Sequence, residues 1–383
     1  MKIRCQTKEL LEAVQLAAAV VPANATRPIL QTLLLDARAG DGLVVQGTDL
    51  DVGLSVRVDE VHCEEAGRVA IPAARLQGIL RESRSEQVTI ELADDQVRID
   101  AGSSRFKVPV LPVEEFPELR FRPPTPALHL EREPLLALLR RVSVAATRDA
   151  SRFQMHSVLF DCRDGRLRLV STDGKRMAVG EVSLDAARRT GVADAQYILP
   201  LKGVELLVRI LDIEAEPEID LHLDEKEITY TSDRISLSSR LVEGRYPEYE
   251  RALPADLEHI YEVGTEDLLV ALRQASLMTT KETNSVRFSF GRDGAVLSTA
   301  ASNVGESRIE LPAVQVQGDE EEFSIHFNPG YLIDLLRVLD APKVLCRFRD
   351  RKTAGLFSLP DAGESYRHIV MPLVVQEGVG EPV

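Results

Sequence analysis

Three times along the 383-residue chain a short alternating strand runs straight into an amphipathic helix: MKIRCQ into TKELLEAVQLAAAV, ALHLER into EPLLALLRRVSVAAT, HIYEVG into TEDLLVALRQASLM. Apolar residues recur in these helices at three- and four-residue spacing, the stripe of a helix that buries one side. The first Leu-Leu pairs begin at Leu10, Leu135 and Leu268, 125 and 133 residues apart. Each helix is followed by ILQTLLLDARAGDGLVVQGTD, HSVLFDCRDGRLRLVSTDG or SVRFSFGRDGAVLSTAASN, where Asp-Gly or a near relative separates two period-2 runs and predicts a hairpin.

A second helix follows in every unit, with Pro72, Pro200 or Pro329 at or near its first turn, where proline loses no intrahelical hydrogen bond. Further strands close each unit: VTIELADDQVRIDAG with SRFKVPVL, IDLHLDEKEITYTSD with RISLSSRLV, and VLCRFRDRKTAGLFSLP with YRHIVMPL. Matching order, spacing and punctuation predict an α+β fold of three repeated domains, each with two helices packed on β-sheet. The boundaries fall at 1–125, 126–255 and 256–375. The linkers are Arg120 to Pro126, proline-rich and stiff, and Tyr249 to Glu258.

Composition narrows the class. With 44% hydrophobic and 28% charged residues the chain reads as soluble and globular. No long apolar run or signal-peptide core is present, so a cytoplasmic protein is expected. Cys5, Cys63, Cys162 and Cys346 lie far apart with no CxxC pair, which reads as reduced thiols without metal. No cofactor or metal is expected.

The formal charge is -15, yet the expected helices, residues 8–21, 73–85, 131–148, 202–211, 265–281 and 328–340, sum to +3, leaving -18 elsewhere. Helices facing a polyanion while the outer sheets repel one would need such a segregation. Solvated helix faces carry similar charge, so this alone leaves both readings open.

The threefold layout carries RPIL at Arg27 to Leu30, GTDL at Gly47 to Leu50, SRF at Ser104 to Phe106, LPVEEFP, STDGKRMA, LVEGRYPEY and IVMPL, in that order. Together these resemble the β subunit of bacterial DNA polymerase III, the sliding clamp, over residues 1 to about 373. The resemblance implies a DNA clamp fold: a six-domain ring formed as a head-to-tail homodimer, with helices lining a hole around duplex DNA and sheets outside. It implies a processivity factor that encircles double-stranded DNA without reading sequence. The replicative polymerase α subunit, the clamp loader, other polymerases and repair proteins would dock through a hydrophobic peptide cleft.

Residue by residue, the matches to that cleft are Met155, Thr172, Gly174, Lys175, Arg176 and Met177, then Pro247, Arg251, Asn328 and Tyr331, then Val370, Met371, Pro372 and Leu373. Methionine and leucine would give an adaptable apolar floor, and Arg176 and Arg251 could grip carbonyls or carboxylates of an extended peptide. Met177, Val370 and Met371 read equally as strand core. The ring joint would bring Arg98, Arg105, Phe106 and Val108 against Leu277, Met278, Glu306 and Glu310, unless that strand is an ordinary charged edge. The DNA-facing candidates are Asn24, Arg27, Arg75, Arg81, Arg140, Arg148 and Lys202.

Three features depart from the family pattern. PANATRP carries Asn24 where an arginine is common and displaces the cation to Arg27; Lys175 replaces a frequent histidine. VVQEGVGEPV continues beyond Leu373, and 376–383 reads as a disordered tail that would crowd or extend the cleft.

Two rival classes remain. No GxxxxGK(S/T), GxSxG or HExxH string occurs, so an NTPase or hydrolase lacks its machinery, and a metal nuclease on Asp49 and Asp173 would need carboxylates that the repeat places in separate domains. A protein-only scaffold with peptide clefts and no DNA is the second rival, and sequence separates it poorly from a clamp.

The Thr-Asp of STDGKRMA recurs as GTDL in the first copy, with Asp49 and Asp173 124 residues apart, so the pair reads as a structural turn. Gly174, Lys175, Arg176 and Met177 are particular to the second copy.

Overall fold

The computed structural model describes residues 1–39, 42–121, 127–184, 189–190, 192, 194–280, 284–291, 294–301, 304–318, 322–361 and 365–374. The tail at 376–383 and linker residues 122–126 lie outside them. The first repeat comprises β1 (Lys2–Gln6), α1 (Thr7–Ala18), β2 (Thr32–Arg38), β3 (Gly42–Thr48), β4 (Val52–Val58), β5 (Val61–Glu65), β6 (Gly67–Pro72), α2 (Ala73–Glu82), β7 (Gln87–Ala93), β8 (Gln96–Ala101) and β9 (Ser104–Pro109). The second has the same order: β10 (Ala127–Glu131), α3 (Arg132–Ser143), β11 (Ser157–Arg163), β12 (Arg166–Thr172), β13 (Arg176–Ser183), β14 (Arg189–Thr190), β15 (Ala195–Pro200), α4 (Leu201–Ile213), β16 (Glu218–Leu223), β17 (Glu227–Thr231) and β18 (Ile235–Arg240). So does the third: β19 (His259–Gly264), α5 (Thr265–Ser276), β20 (Val286–Gly291), β21 (Gly294–Ala301), β22 (Gly305–Leu311), β23 (Ala313–Gln317), β24 (Glu322–Phe327), α6 (Pro329–Leu336), β25 (Lys343–Phe348), β26 (Gly355–Ser358) and β27 (Tyr366–Val370). The repeat inferred from helix and proline spacing is thus present element by element.

Compactness divides the chain differently from the repeat. One unit holds Met1–Arg132, Ala187–Val192 and Glu205–Leu241; the other holds Glu133–Ala186, Ala193–Val204 and Val242–Val383. The reason lies in the sheets. In the first unit a five-stranded sheet runs β5-β1-β7-β8-β9, and a nine-stranded sheet runs β14-β10-β16-β17-β18-β4-β3-β2-β6. The latter is stitched across repeats by the antiparallel β18–β4 pair, with Leu237 opposite Leu54. In the second unit the nine-stranded sheet runs β15-β11-β12-β13-β27-β26-β25-β19-β23, stitched by β13–β27 with Ala178 opposite His368, and a four-stranded sheet runs β22-β21-β20-β24.

Helix α1 buries Leu10, Ala13, Val14 and Ala17 against α2 and the sheet of β2 to β4, and α5 buries Leu268, Leu269, Leu272 and Ala275 against α6 and β21 to β22. The core of the third repeat is aromatic, with Tyr261 stacked on Phe290 at 4.3 Å and Phe323 on Phe348 at 5.3 Å. Helix α6 starts where proline and capping coincide: the Asn328 side chain accepts the Gly330 amide at 2.9 Å and Pro329 is the first helical residue.

The helices stop earlier than periodicity suggests. Helix α3 ends at Ser143, whose hydroxyl donates back to the Arg140 carbonyl, and α6 ends at Leu336, four residues before the Asp340-Ala341-Pro342 stretch. Over the observed spans nine cations face nine anions, so the six helices are neutral and the expected +3 is corrected to zero. Arg84, Arg148 and Arg337 sit beyond the helix ends, where hydroxyl back-bonding and the approach to proline favour turns.

Candidate functional site

The turn between β12 and β13 organises the second unit's candidate site. Thr172 Oγ1 donates to the Arg176 carbonyl at 2.7 Å and accepts the Gly174 amide at 3.0 Å. Asp173 Oδ1 accepts the Lys175 and Arg176 amides at 2.8 and 3.0 Å. The first unit repeats this wiring: Thr48 Oγ1 donates to the Val52 carbonyl and accepts the Leu50 amide, while Asp49 Oδ1 accepts the Asp51 and Val52 amides. The Thr-Asp pair is therefore a structural joint in both copies.

Beyond the turn the two copies diverge. Arg176 Nε donates to Asp173 Oδ2 at 3.1 Å and Nη1 to Asp334 Oδ2 at 2.9 Å, while its Cζ lies 4.7 Å from the centre of the Tyr331 ring. Its side chain is only 10% exposed. The Arg176 guanidinium, expected to grip carbonyls or carboxylates of a peptide, is engaged by two carboxylates of its own chain. Tyr331 has its phenol pushed up by burial and by Asp173, with Arg176 opposing. Asn328, besides capping α6, accepts the Asn284 side-chain amide at 3.2 Å.

Chain exit from β27 borders this turn. Val370 lies opposite Arg176, the Met371 amide donates to the Lys175 carbonyl at 2.8 Å, and the Leu373 amide donates to the His326 carbonyl at 2.8 Å. Met177 and Val370 are buried, and Met177 packs with Leu159, Val170, Val179, Ile198, Tyr246, Tyr249, Ala354 and Ile369. Val242 and Leu253 lean on the same cluster. The side chains left accessible are Met371, Leu373 and Val374, with Pro372 buried between the first two. His368 in β27 is fully buried; burial, and then the Arg176 charge, push its imidazole down to about 3.

Met155 and Pro247 are half-buried. Arg152 ties Met155 to the turn, donating from Nη1 to the Asp173 carbonyl at 3.0 Å and from Nη2 to Met155 Sδ at 2.8 Å. Gly174 has φ +89°, and a Cβ there would lie 3.4 Å from Arg152 Nη2. Arg251 is 85% exposed and pairs with Glu248 at 2.9 Å. Its short helical turn is anchored by Tyr249, whose hydroxyl donates to buried Asp161 at 2.9 Å. Burial raises the Asp161 carboxyl, but hydrogen bonds from Arg163 and Tyr249 outweigh it and hold the group below the usual carboxylate range.

Sequence reasoning missed Arg152, Asp334 and the exposed Phe153 in the same connection as Met155. Asp334 lies 158 positions from its partner, and no local pattern signals such a pair.

The two proposed joint surfaces are sheet edges. Among the described residues β9 pairs only with β8 and β22 only with β21. On β9, Val108 is buried, Phe106 is 38% exposed, and Arg105 faces Asp100 at 3.6 Å; Arg98 on β8 is exposed opposite Lys107. On β22, Glu306 and Glu310 are exposed, with Arg308 at 3.2 Å from Glu310. Leu277 is 72% exposed just past α5, and Met278 Sδ lies beside Gly305. Val304, also exposed, was missed.

Of the DNA-facing candidates, Asn24, Arg27, Arg75 and Arg81 are exposed in the first unit, with Arg27 donating to the Glu115 carbonyl and Arg81 beside Glu82. In the second unit Arg140 and Arg148 are exposed and Lys202 is half-buried. Arg148 lies in the turn after α3 and not on the helix expected to carry it. Burial pushes the thiols of Cys5 and Cys346 up to about 12, as suits unreactive core cysteines. No group of three metal-ligating side chains occurs among the described residues, and no described helix is long and apolar enough to cross a membrane.

Residues 1–120, 129–248 and 250–374 match the N-terminal, central and C-terminal domains of the DNA polymerase III beta subunit. The Beta sliding clamp of Vibrio cholerae is 29% identical over 374 residues, covering 97% of this chain and 100% of that protein. The Pseudomonas aeruginosa sliding clamp bound to griselimycin is 27% identical, with a TM-score of 0.87 over 98% of this chain and 100% of the other. The Thermotoga maritima beta subunit shares the fold at a TM-score of 0.87 and 23% identity, covering 98% and 100% of the two chains. With family matches along nearly its whole length, the chain belongs to the DNA polymerase III beta subunit family, the sliding clamps that act as processivity factors of DNA replication.

Proposed function

We propose that two copies of this chain close head to tail into a ring around duplex DNA, with repeats 1–125, 126–255 and 256–375 as the three domains of each copy. The observation that carries this is strand accounting. Every repeat supplies a five-strand half ordered 5-1-7-8-9 and a four-strand half ordered 4-3-2-6, counted within the repeat. In both nine-stranded sheets the ninth strand of one repeat pairs with the fourth strand of the repeat before it. The half-sheets left over end at β9 and β22. Pairing β9 with the partner's β22, twice, completes two more nine-stranded sheets and leaves no unclosed joint, as a two-fold dimer requires. Phe106, Val108, Leu277, Met278 and Val304 supply the apolar part of this seam. Arg98, Arg105 and Lys107 oppose Glu306 and Glu310.

In this reading the hold on DNA is topological. Helices that are neutral as a set and carry scattered arginines suit it, because phosphate contacts carry no sequence information and a strong basic lining would impede sliding. The candidates are Asn24, Arg27, Arg75, Arg81, Arg140, Arg148 and Lys202. The ring itself is non-catalytic and takes no cofactor, acts in the cytoplasm, and depends on a separate loader for opening. The replicative polymerase α subunit, the loader and repair proteins dock at the second unit's cleft, on Met371, Leu373, Pro247 and Tyr331, with Arg251 and Lys175 as the exposed cations.

The test is retention on nicked circular DNA after loading with a loader-containing extract and ATP. Loss of labelled protein when the circle is cut once supports the ring. Equal retention on both forms means binding by contact and overturns it; no retention with an active loader favours a protein-only scaffold.

A further inference from the structure

We propose that Asp334 is a positioning residue of the peptide cleft: together with Asp173 it fixes the Arg176 guanidinium across the Tyr331 ring, making Arg176 a wall of the cleft and not its anion hook. This rests on the cleft proposed as the partner-docking site. Two oxygens on separate elements hold two different nitrogens of one planar group, at 3.1 and 2.9 Å, and the plane is backed by an aromatic ring at 4.7 Å. A guanidinium suits such a fork because its donors are fixed in one plane. Asp334 follows Tyr331 by three positions on α6, so the carboxylate and the ring lie on one helix face and reach the same guanidinium. Asp173 cannot do this alone, since its Oδ1 is occupied by the Lys175 and Arg176 amides and only Oδ2 is turned toward Arg176.

Forming α6 does not depend on this carboxylate. The helix has its own cap at Asn328, proline at its first position, and Leu332, Leu335 and Leu336 buried beneath it. The consequence of the pair is chemical. The Arg176 charge is compensated by two carboxylates, so an acidic side chain of a partner gains little from it. The stacked guanidinium and phenol instead offer a flat surface to an apolar or neutral side chain. Acidic groups of the partner are left to the exposed Lys175 and to Arg251, which is 85% exposed and whose Glu248 pair is a rim contact of little worth.

Titration calorimetry of the full chain with griselimycin tests this, since that compound binds the Pseudomonas aeruginosa clamp. Failure of the unaltered chain to bind overturns the cleft reading itself. If the unaltered chain binds, Asp334→Asn is expected to bind about fivefold more weakly, the scale of one partly exposed charged hydrogen bond. Asp334→Glu should restore affinity, a recovery that a loss of helix packing would not show. Tyr331→Leu should weaken binding further, and adding Asp334→Asn to it should cost nothing more, because both act through the same stacked group. Unchanged affinity in Asp334→Asn, no recovery with glutamate, or independent losses in the double variant overturns the positioning role while leaving the cleft intact. Should Asp334→Asn not fold, Arg176→Lys keeps the charge but cannot fork between the carboxylates, and it must reproduce the loss.

Discussion

Leu50 and Gly174 occupy the same place in two copies of one turn, with φ of +85° and +89°. The left-handed region costs a residue with a Cβ about 1–2 kcal/mol, and leucine has no side-chain polar group to offset it. Leu50→Gly is therefore expected to stabilise the protein by about 0.5–1 kcal/mol, after allowing for glycine's extra freedom when unfolded. Urea unfolding should show a higher midpoint at unchanged slope; a lower midpoint would mean that the 46% exposed Leu50 side chain makes contacts worth more than the strain. Gly174→Ala should move the midpoint the other way. The turn itself was legible in sequence, because Thr-Asp wiring is local. Met177 was only half legible: it belongs to the site's segment, yet at 5% exposure it is core. Met177→Ala should cost about 2–5 kcal/mol of stability, read from the same urea curves, so lost peptide binding in that variant would not identify a contact.

Strand pairing shows which part of the fold could be read ahead and which could not. Hairpins and their order were visible because Asp-Gly turns and period-2 runs are short-range, whereas the seams β18–β4 and β13–β27 join strands with no sequence signal linking them. Helix lengths were overestimated because hydrophobic periodicity continues into the turns, while the hydroxyls and prolines that stop the helix act on the backbone. The second seam carries its own pH dependence. His368 in β27 is opposite Ala178, fully buried, and neutral in the fold, with its imidazole down at about 3 against an ordinary value of 6.5. The unfolded chain therefore binds a proton first as pH falls. The stability contributed by the neutral ring is intact above about 6.5, declines as pH drops through that value, and is exhausted near 3. Thermal unfolding measured from pH 7 to pH 4 should show a falling midpoint that is shallower in His368→Gln. Parallel curves for the two proteins would place the acid sensitivity elsewhere, for example at His326, whose imidazole is also pushed down by burial and by the Arg287 charge.

At the scale of the whole molecule the repeat predicts how two copies meet, down to the residue. In β18 and β27 the third residue, Leu237 or His368, lies opposite the third residue of the strand it joins, Leu54 in β4 or Ala178 in β13. The third residues of the unpaired edges are Phe106 in β9 and Ser307 in β22. If the dimer seam copies the internal ones, Phe106 lies opposite the partner's Ser307 and Lys107 opposite the partner's Glu306, with Arg105 diagonal to the partner's Glu306 and the partner's Glu310. Directly opposed residues in an antiparallel pair have Cβ atoms about 4.5–5.5 Å apart, near enough for a disulfide to form with small adjustments. A chain carrying both Phe106→Cys and Ser307→Cys should then oxidise to a covalently closed dimer, seen as a slow species on non-reducing gels, while either single variant stays uncrosslinked. Shifting one cysteine by a residue, to Lys107→Cys with Ser307→Cys, turns that side chain to the other face of the sheet and should sharply reduce the yield. Once loaded, the doubly closed ring should remain on circular DNA through a salt concentration that releases the unlinked protein, because opening no longer depends on charge pairs. Efficient crosslinking in the shifted pair and none in the direct pair would refute this register, and no crosslinking at any pair along β9 and β22 would remove the seam.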